Sequence, residues 1–140
     1  MAYLIDTNVW LAAIFDSHVH HDAARKWIDQ TTEPLAFCRS TEISFLRLVT
    51  SEAVFGPAAL TNREAQKLLI RLLDDDRIFL ATEPPDLEIV WFQYAAKSGR
   101  SPKLWMDAYL AAFAFRHGFQ IVTFDTGFHQ FPGVKLSMLP

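Results

Sequence analysis

Short apolar runs of three to five residues recur along this chain, each separated from the next by helix-patterned sequence. They are Tyr3-Leu4-Ile5, Leu35 to Cys38, Ile78 to Ala81, Gln120 to Thr123 and Val134 to Ser137. Runs this short, bounded by turn residues, suit strands buried on both faces rather than buried helices. Strands alternating with helices predict an α/β fold whose mainly parallel sheet carries helices on both faces. The 140 residues suffice for one domain spanning 1–140.

The helices are marked by their ends. Asp6, Thr7 and Asn8 can each cap a helix, and the apolar stretch Val9 to Phe15 follows. A second, amphipathic helix is predicted from about His20 to Gln30, and a third opens at Ser40 or Thr41. Thr61-Asn62-Arg63-Glu64 is a capping box with Leu60 as its staple, followed by Ala65, Leu68, Leu69, Leu72 and Leu73 at helical spacing. Pro84-Pro85-Asp86 precedes a helix from Leu87 to Lys97, and Gly118 stops one running from Leu104 to His117. Phe124 to Phe128 is expected to turn.

Four acids fall at strand ends or helix starts: Asp6, Glu42, Asp107 and Asp125. In an open parallel sheet, ligands bind beyond the carboxyl ends of the strands, where these residues collect. Each also has a structural reading. Asp6 suits an N-cap, Glu42 a helix dipole, and Asp125 an Asx turn before Gly127. Asp107 is flanked by Trp105, Met106, Ala108 and Tyr109, and its one helical partner in sequence is Lys103 at i−4. Taken together, crowded carboxylates repel one another unless a cation compensates. Hard ions such as Mg²⁺ and Mn²⁺ prefer such all-oxygen ligands, so the pattern predicts a site of that kind. There an ion activates water and stabilises charge at a phosphodiester.

Leu4-Ile5-Asp6-Thr7-Asn8, Thr41-Glu42, Met106-Asp107-Ala108-Tyr109-Leu110-Ala111-Ala112 and Thr123-Phe124-Asp125-Thr126-Gly127-Phe128 resemble, in order and spacing, the successive motifs of PIN domains. The nearest likeness is to VapC-type toxins of bacterial toxin–antitoxin pairs. Phe45 to Thr50 and Phe128 to Gly133 add to that likeness. The resemblance implies a PIN-like three-layer domain and Mg²⁺- or Mn²⁺-dependent endonucleolytic cleavage of RNA, with transfer and ribosomal RNA as substrate classes. It implies that Asp6, Glu42, Asp107 and Asp125 are the catalytic, metal-holding acids, supported by Asn8 and Thr123. It further implies a homodimer and a VapB-type antitoxin that covers the site.

The remaining features bound the alternatives. Cys38 is the only cysteine, so no internal disulfide forms; its apolar neighbours suggest a buried, inert thiol in a reducing cytoplasm. No targeting segment is visible at the N-terminus, and the run from Leu104 to Phe115 is too short to cross a bilayer. The net charge of −3 does not oppose a nucleic-acid partner: without the four acids, 12 remain against 13 Lys and Arg. His18, His20 and His21 lack the spacing of a helical metal pair. Arg25, Lys26, Arg39, Arg47, Arg100 and Lys103 are candidate phosphate contacts, Arg47 being near Glu42 in sequence. Among Trp10, Trp27, Trp91 and Trp105, packing is expected for most and base stacking for few. An aspartate-based phosphotransferase would need an acid at position 8, where Asn8 stands, and a receiver domain would need one ending the third strand. The non-enzymatic alternative is a PIN-like domain that only binds RNA or protein.

Overall fold

The computed structural model describes all 140 residues. Five strands, β1 (Tyr3–Ile5), β2 (Leu35–Phe37), β3 (Ile78–Leu80), β4 (Gln120–Thr123) and β5 (Lys135–Met138), form one sheet in the order β3-β2-β1-β4-β5. Every pairing is parallel, so the sheet is wholly rather than mainly parallel. The helices are α1 (Thr7–Ile14), α2 (His21–Gln30), α3 (Arg39–Val49), α4 (Glu52–Phe55), α5 (Asn62–Leu73), α6 (Leu87–Ala95) and α7 (Leu104–His117).

Alternation along the strands assigns side chains to two cores. Ile5, Leu35, Phe37 and Val122 face α1, α2, α3 and α5, whereas Leu4, Ala36 and Ile121 face α6 and α7. Trp10 stacks on Phe37 with ring centroids 4.4 Å apart, filling the first core. α7 is buried along Ala108 and Leu110 to Ala114, which explains why it is apolar on nearly every side. Gly118 ends it at φ 71°, a left-handed conformation that glycine adopts without strain.

The chain runs outward from β1 through β2 to β3, then returns to place β4 on the other side of β1. Strand order therefore reverses between β1 and β4. At such a point the connections leave in opposite directions and open a crevice at the carboxyl rim.

Some boundaries differ from the sequence reading. α3 begins at Arg39, because the Thr41 hydroxyl accepts from the Cys38 N–H at 2.9 Å and caps the helix earlier than Ser40 or Thr41. β2 correspondingly stops at Phe37, with Cys38 buried but outside the strand. α6 ends at Ala95 rather than Lys97. α4 and the 3-10 turn Gly56–Ala58 were not anticipated, and residues Thr126–Gln130 make a 3-10 helix where a turn was expected. No helix is long and apolar enough to cross a membrane.

Candidate active site

Asp6 leaves β1 at this crevice and caps α1. Its Oδ1 accepts from the Thr7 N–H at 2.8 Å, and its Oδ2 accepts from the Thr123 hydroxyl at 2.7 Å. Its own N–H donates to the Val122 carbonyl, which ties the turn to β4. Thr123, fully buried at the end of β4, accepts from the Asp125 N–H through the same hydroxyl oxygen at 2.9 Å. One side chain thus spaces two acids from different strands.

Asp125 caps the following 3-10 helix, its Oδ1 accepting from the Gly127 N–H at 2.8 Å. Its Oδ2 lies 3.0 Å from Lys103 Nζ, which is also 3.8 Å from Asp107 Oδ2. Asp107 projects from the first turn of α7. The sequence could offer the Lys103–Asp107 pair through i,i+4 spacing, but nothing local announced the bond to Asp125.

The three aspartates respond differently. Burial raises Asp6 from 3.8 to about 6, against the Thr123 and Thr7 hydrogen bonds, and the charges of Asp107 and Asp125 push the same way. Burial also raises Asp107; Lys103 opposes this and Asp125 adds to it. Asp125 is lowered, first by the Gly127 N–H and then by Lys103, although burial works against both. These three acids form one electrostatic unit.

Glu42 stands apart. It is 7% exposed in the first turn of α3 at the end of β2, and it pairs with Arg39. Arg47 does not take that place; it lines a groove with Asn62 and Gln66. Asn8 bonds none of the acids, and its Oδ1 is buried without a hydrogen-bond partner. In this arrangement no three acidic, His or Cys side chains stand close enough to hold one ion. Yet Asp6 is a buried carboxylate without a contacting cation, and two residues on Asn8 carries an orphaned amide oxygen, so the donors here are all oxygen. Those are the donors a hard divalent ion accepts.

The three candidate histidines are occupied locally. His21 Nδ1 lies 2.7 Å from the Ala12 carbonyl, His18 Nδ1 accepts from the His20 N–H, and His20 stacks on Phe124. Trp10 is buried and Trp27 packs edge-on against Tyr3.

The PIN domain family model matches residues 3–134. The chain belongs to the PIN-domain family. Within it, the chain is of the VapC type: Ribonuclease VapC41 of Mycobacterium tuberculosis is 49% identical over 142 residues, covering 97% of each chain. Ribonuclease VapC38 of the same organism is 32% identical, covering 89% of this chain and 85% of the relative. Among solved structures, VapBC2 from Rickettsia felis, bound to a DNA fragment from their promoter, superposes with a TM-score of 0.74 at 16% identity, covering all of both chains. VapC20 of M. tuberculosis, described as a Sarcin-Ricin loop cleaving toxin, gives 0.69 at 20%, covering 95% of this PIN domain and 98% of that chain. At such identities the structural likeness establishes the shared PIN fold.

Proposed function

We propose that this chain is a Mg²⁺- or Mn²⁺-dependent endoribonuclease, the toxin of a toxin–antitoxin pair, working as one PIN domain over residues 1–140. Its acidic site comprises Asp6, Glu42, Asp107 and Asp125, with Asn8 and Thr123 in support. The observation that carries this reading is the pair Asp6 and Asp125 held by one Thr123 hydroxyl where strand order reverses, with Asp107 close enough to act on Asp6 and to feel Asp125.

A divalent ion bound there would supply Lewis-acid polarisation of a phosphodiester oxygen and a bound water of lowered pKa. The chain's own part is positioning. Thr123 fixes Asp6 Oδ2, and Thr7 fixes Oδ1, leaving each oxygen a free lone pair. Gly127 sets the rotamer of Asp125, which stays ionised. A cation bound there would favour the ionised forms of Asp6 and Asp107, offsetting the burial that raises their affinity for protons. Arg39 and Lys103 neutralise the rim and can meet substrate phosphates.

The substrates are structured RNAs of the transfer or ribosomal class, met in the cytoplasm. The partners are a second copy of the chain and a VapB-type antitoxin covering the acids. A binding-only role draws on Arg39 and Lys103, which already pair with Glu42, Asp107 and Asp125.

Cleavage of purified transfer and ribosomal RNA decides between the two. Wild type should cut with Mg²⁺ or Mn²⁺ and stop with EDTA. Asp6→Asn and Asp107→Asn should each lose on the order of a thousandfold in rate, the worth of several kcal/mol of electrostatic stabilisation. Equal cutting by all three proteins would reveal a contaminant and reject the proposal.

A further inference from the structure

The segment joining α6 to α7, Ala96 to Lys103, contains Lys97, Arg100 and Lys103 and no acid. Lys103 reaches into the acidic rim, whereas Lys97 and Arg100 form no ion pair. They line a cavity of about 500 Å³ together with Ser98, Ser101, Leu104 and Trp105. Trp105 and Pro102 also line a second cleft of about 400 Å³, completed by Ser40, Trp91, Met106 and Tyr109. Trp105 is therefore a wall between two clefts, and it is 54% exposed.

This aromatic wall is held in place. Trp91 Nε1 donates to the Trp105 carbonyl at 2.9 Å, and the two rings meet edge to face at 6.3 Å. Tyr109 braces Trp91 from another side at 5.4 Å, and its hydroxyl donates to Glu83 at 2.8 Å. A ring fixed by its neighbours yet open to solvent loses little conformational freedom when a flat ligand stacks on it. Unpaired cations, serine hydroxyls and a rigid exposed indole match a single nucleic-acid strand, whose bases stack and whose phosphates need countercharge. Continuity favours RNA over an acidic peptide. The third cation of the same segment contacts Asp125 and lies near Asp107, so a strand seated on the loop leads directly to the acids.

We propose that the α6–α7 segment and Trp105 seat the unpaired RNA strand beside the scissile bond, with Trp105 stacking a base and Lys97 and Arg100 holding its flanking phosphates. This rests on the ribonuclease reading and adds to it the position of the strand.

The test is fluorescence anisotropy of a short labelled single-stranded RNA with the full chain carrying Asp107→Asn, so that binding is read without cutting. Adding Trp105→Ala should weaken binding about tenfold or more, and Trp105→Phe should recover most of it. Lys97→Ala with Arg100→Ala should lower the slope of log affinity against log salt by about 1.4, for two phosphates on a single strand. Unchanged affinity on Trp105→Ala, in a protein whose wild type cuts RNA, overturns this inference and leaves the ribonuclease reading standing. Loss of self-association or antitoxin binding with RNA affinity intact assigns the surface to a protein and also overturns it. A wild type that neither cuts nor binds RNA rejects both.

Discussion

The Thr123 hydroxyl donates to the Asp6 carboxylate and accepts from the Asp125 N–H, yet the affinities of these two acids for protons move in opposite directions. Both accept a backbone N–H, Thr7 for one and Gly127 for the other. The difference lies in solvent and countercharge. Asp6 is walled in at the start of α1 with no cation in contact, so burial outweighs its two donors. Asp125 is more open and has Lys103 at 3.0 Å, so its donors prevail. At this rim burial decides the balance at Asp6, whereas at the more open Asp125 the Gly127 N–H, and after it Lys103, decide it.

Removing the shared hydroxyl should disturb the comparison most. Thr123→Val keeps the shape of a fully buried side chain but deprives Asp6 Oδ2 of its donor. Cleavage and divalent-ion affinity should fall about 10- to 100-fold, as for other groups that orient metal ligands. Affinity within twofold of wild type would show that Thr123 only packs.

A smaller effect isolates burial itself. Raising Asp6 from 3.8 to about 6 means that the folded chain holds the proton more tightly than the unfolded chain. Ionising Asp6 therefore costs nothing below about pH 4 and destabilises the fold progressively to about pH 6, reaching on the order of 3 kcal/mol at neutral pH. Asp6→Asn, which loses one hydrogen bond, should still be more stable than wild type by about 1–2 kcal/mol at pH 7.5 without metal. Denaturant melts should show that advantage shrink as the pH falls and reverse near pH 4, where only the lost hydrogen bond remains; a constant difference across this range would contradict the burial account.

The same contrast explains what the sequence revealed. The strands were legible because three or four apolar residues between helix signals fit a sheet buried on both faces. The capping box at Thr61 and Glu64 was legible because both partners lie within one turn, and it forms as read. The start of α3 was obscured because Cys38 is an unusual cap and the closing bond comes from Thr41. At the rim, the four acids could be found at the ends of elements, and the PIN motifs supplied their order. Their individual electrostatics could not be found there. Lys103 bonds Asp125 across 22 residues and Thr123 bonds Asp6 across 117, so these contacts exist only once the sheet has brought β1 and β4 together. The pairing of Glu42 with Arg39 rather than Arg47 depends on which face of α3 each basic side chain occupies.

The central claim is that Asp6, Asp107 and Asp125 act as one oxygen-rich cation site. Calorimetric titration of Mn²⁺ into the metal-free wild type, beside Asp6→Asn, tests it directly. Saturable binding at pH 7.5 should weaken as the pH falls through about 6, where protons reclaim Asp6, and should be largely lost in the variant. Absence of binding to wild type, or equal affinity in the two proteins across this pH range, would contradict it.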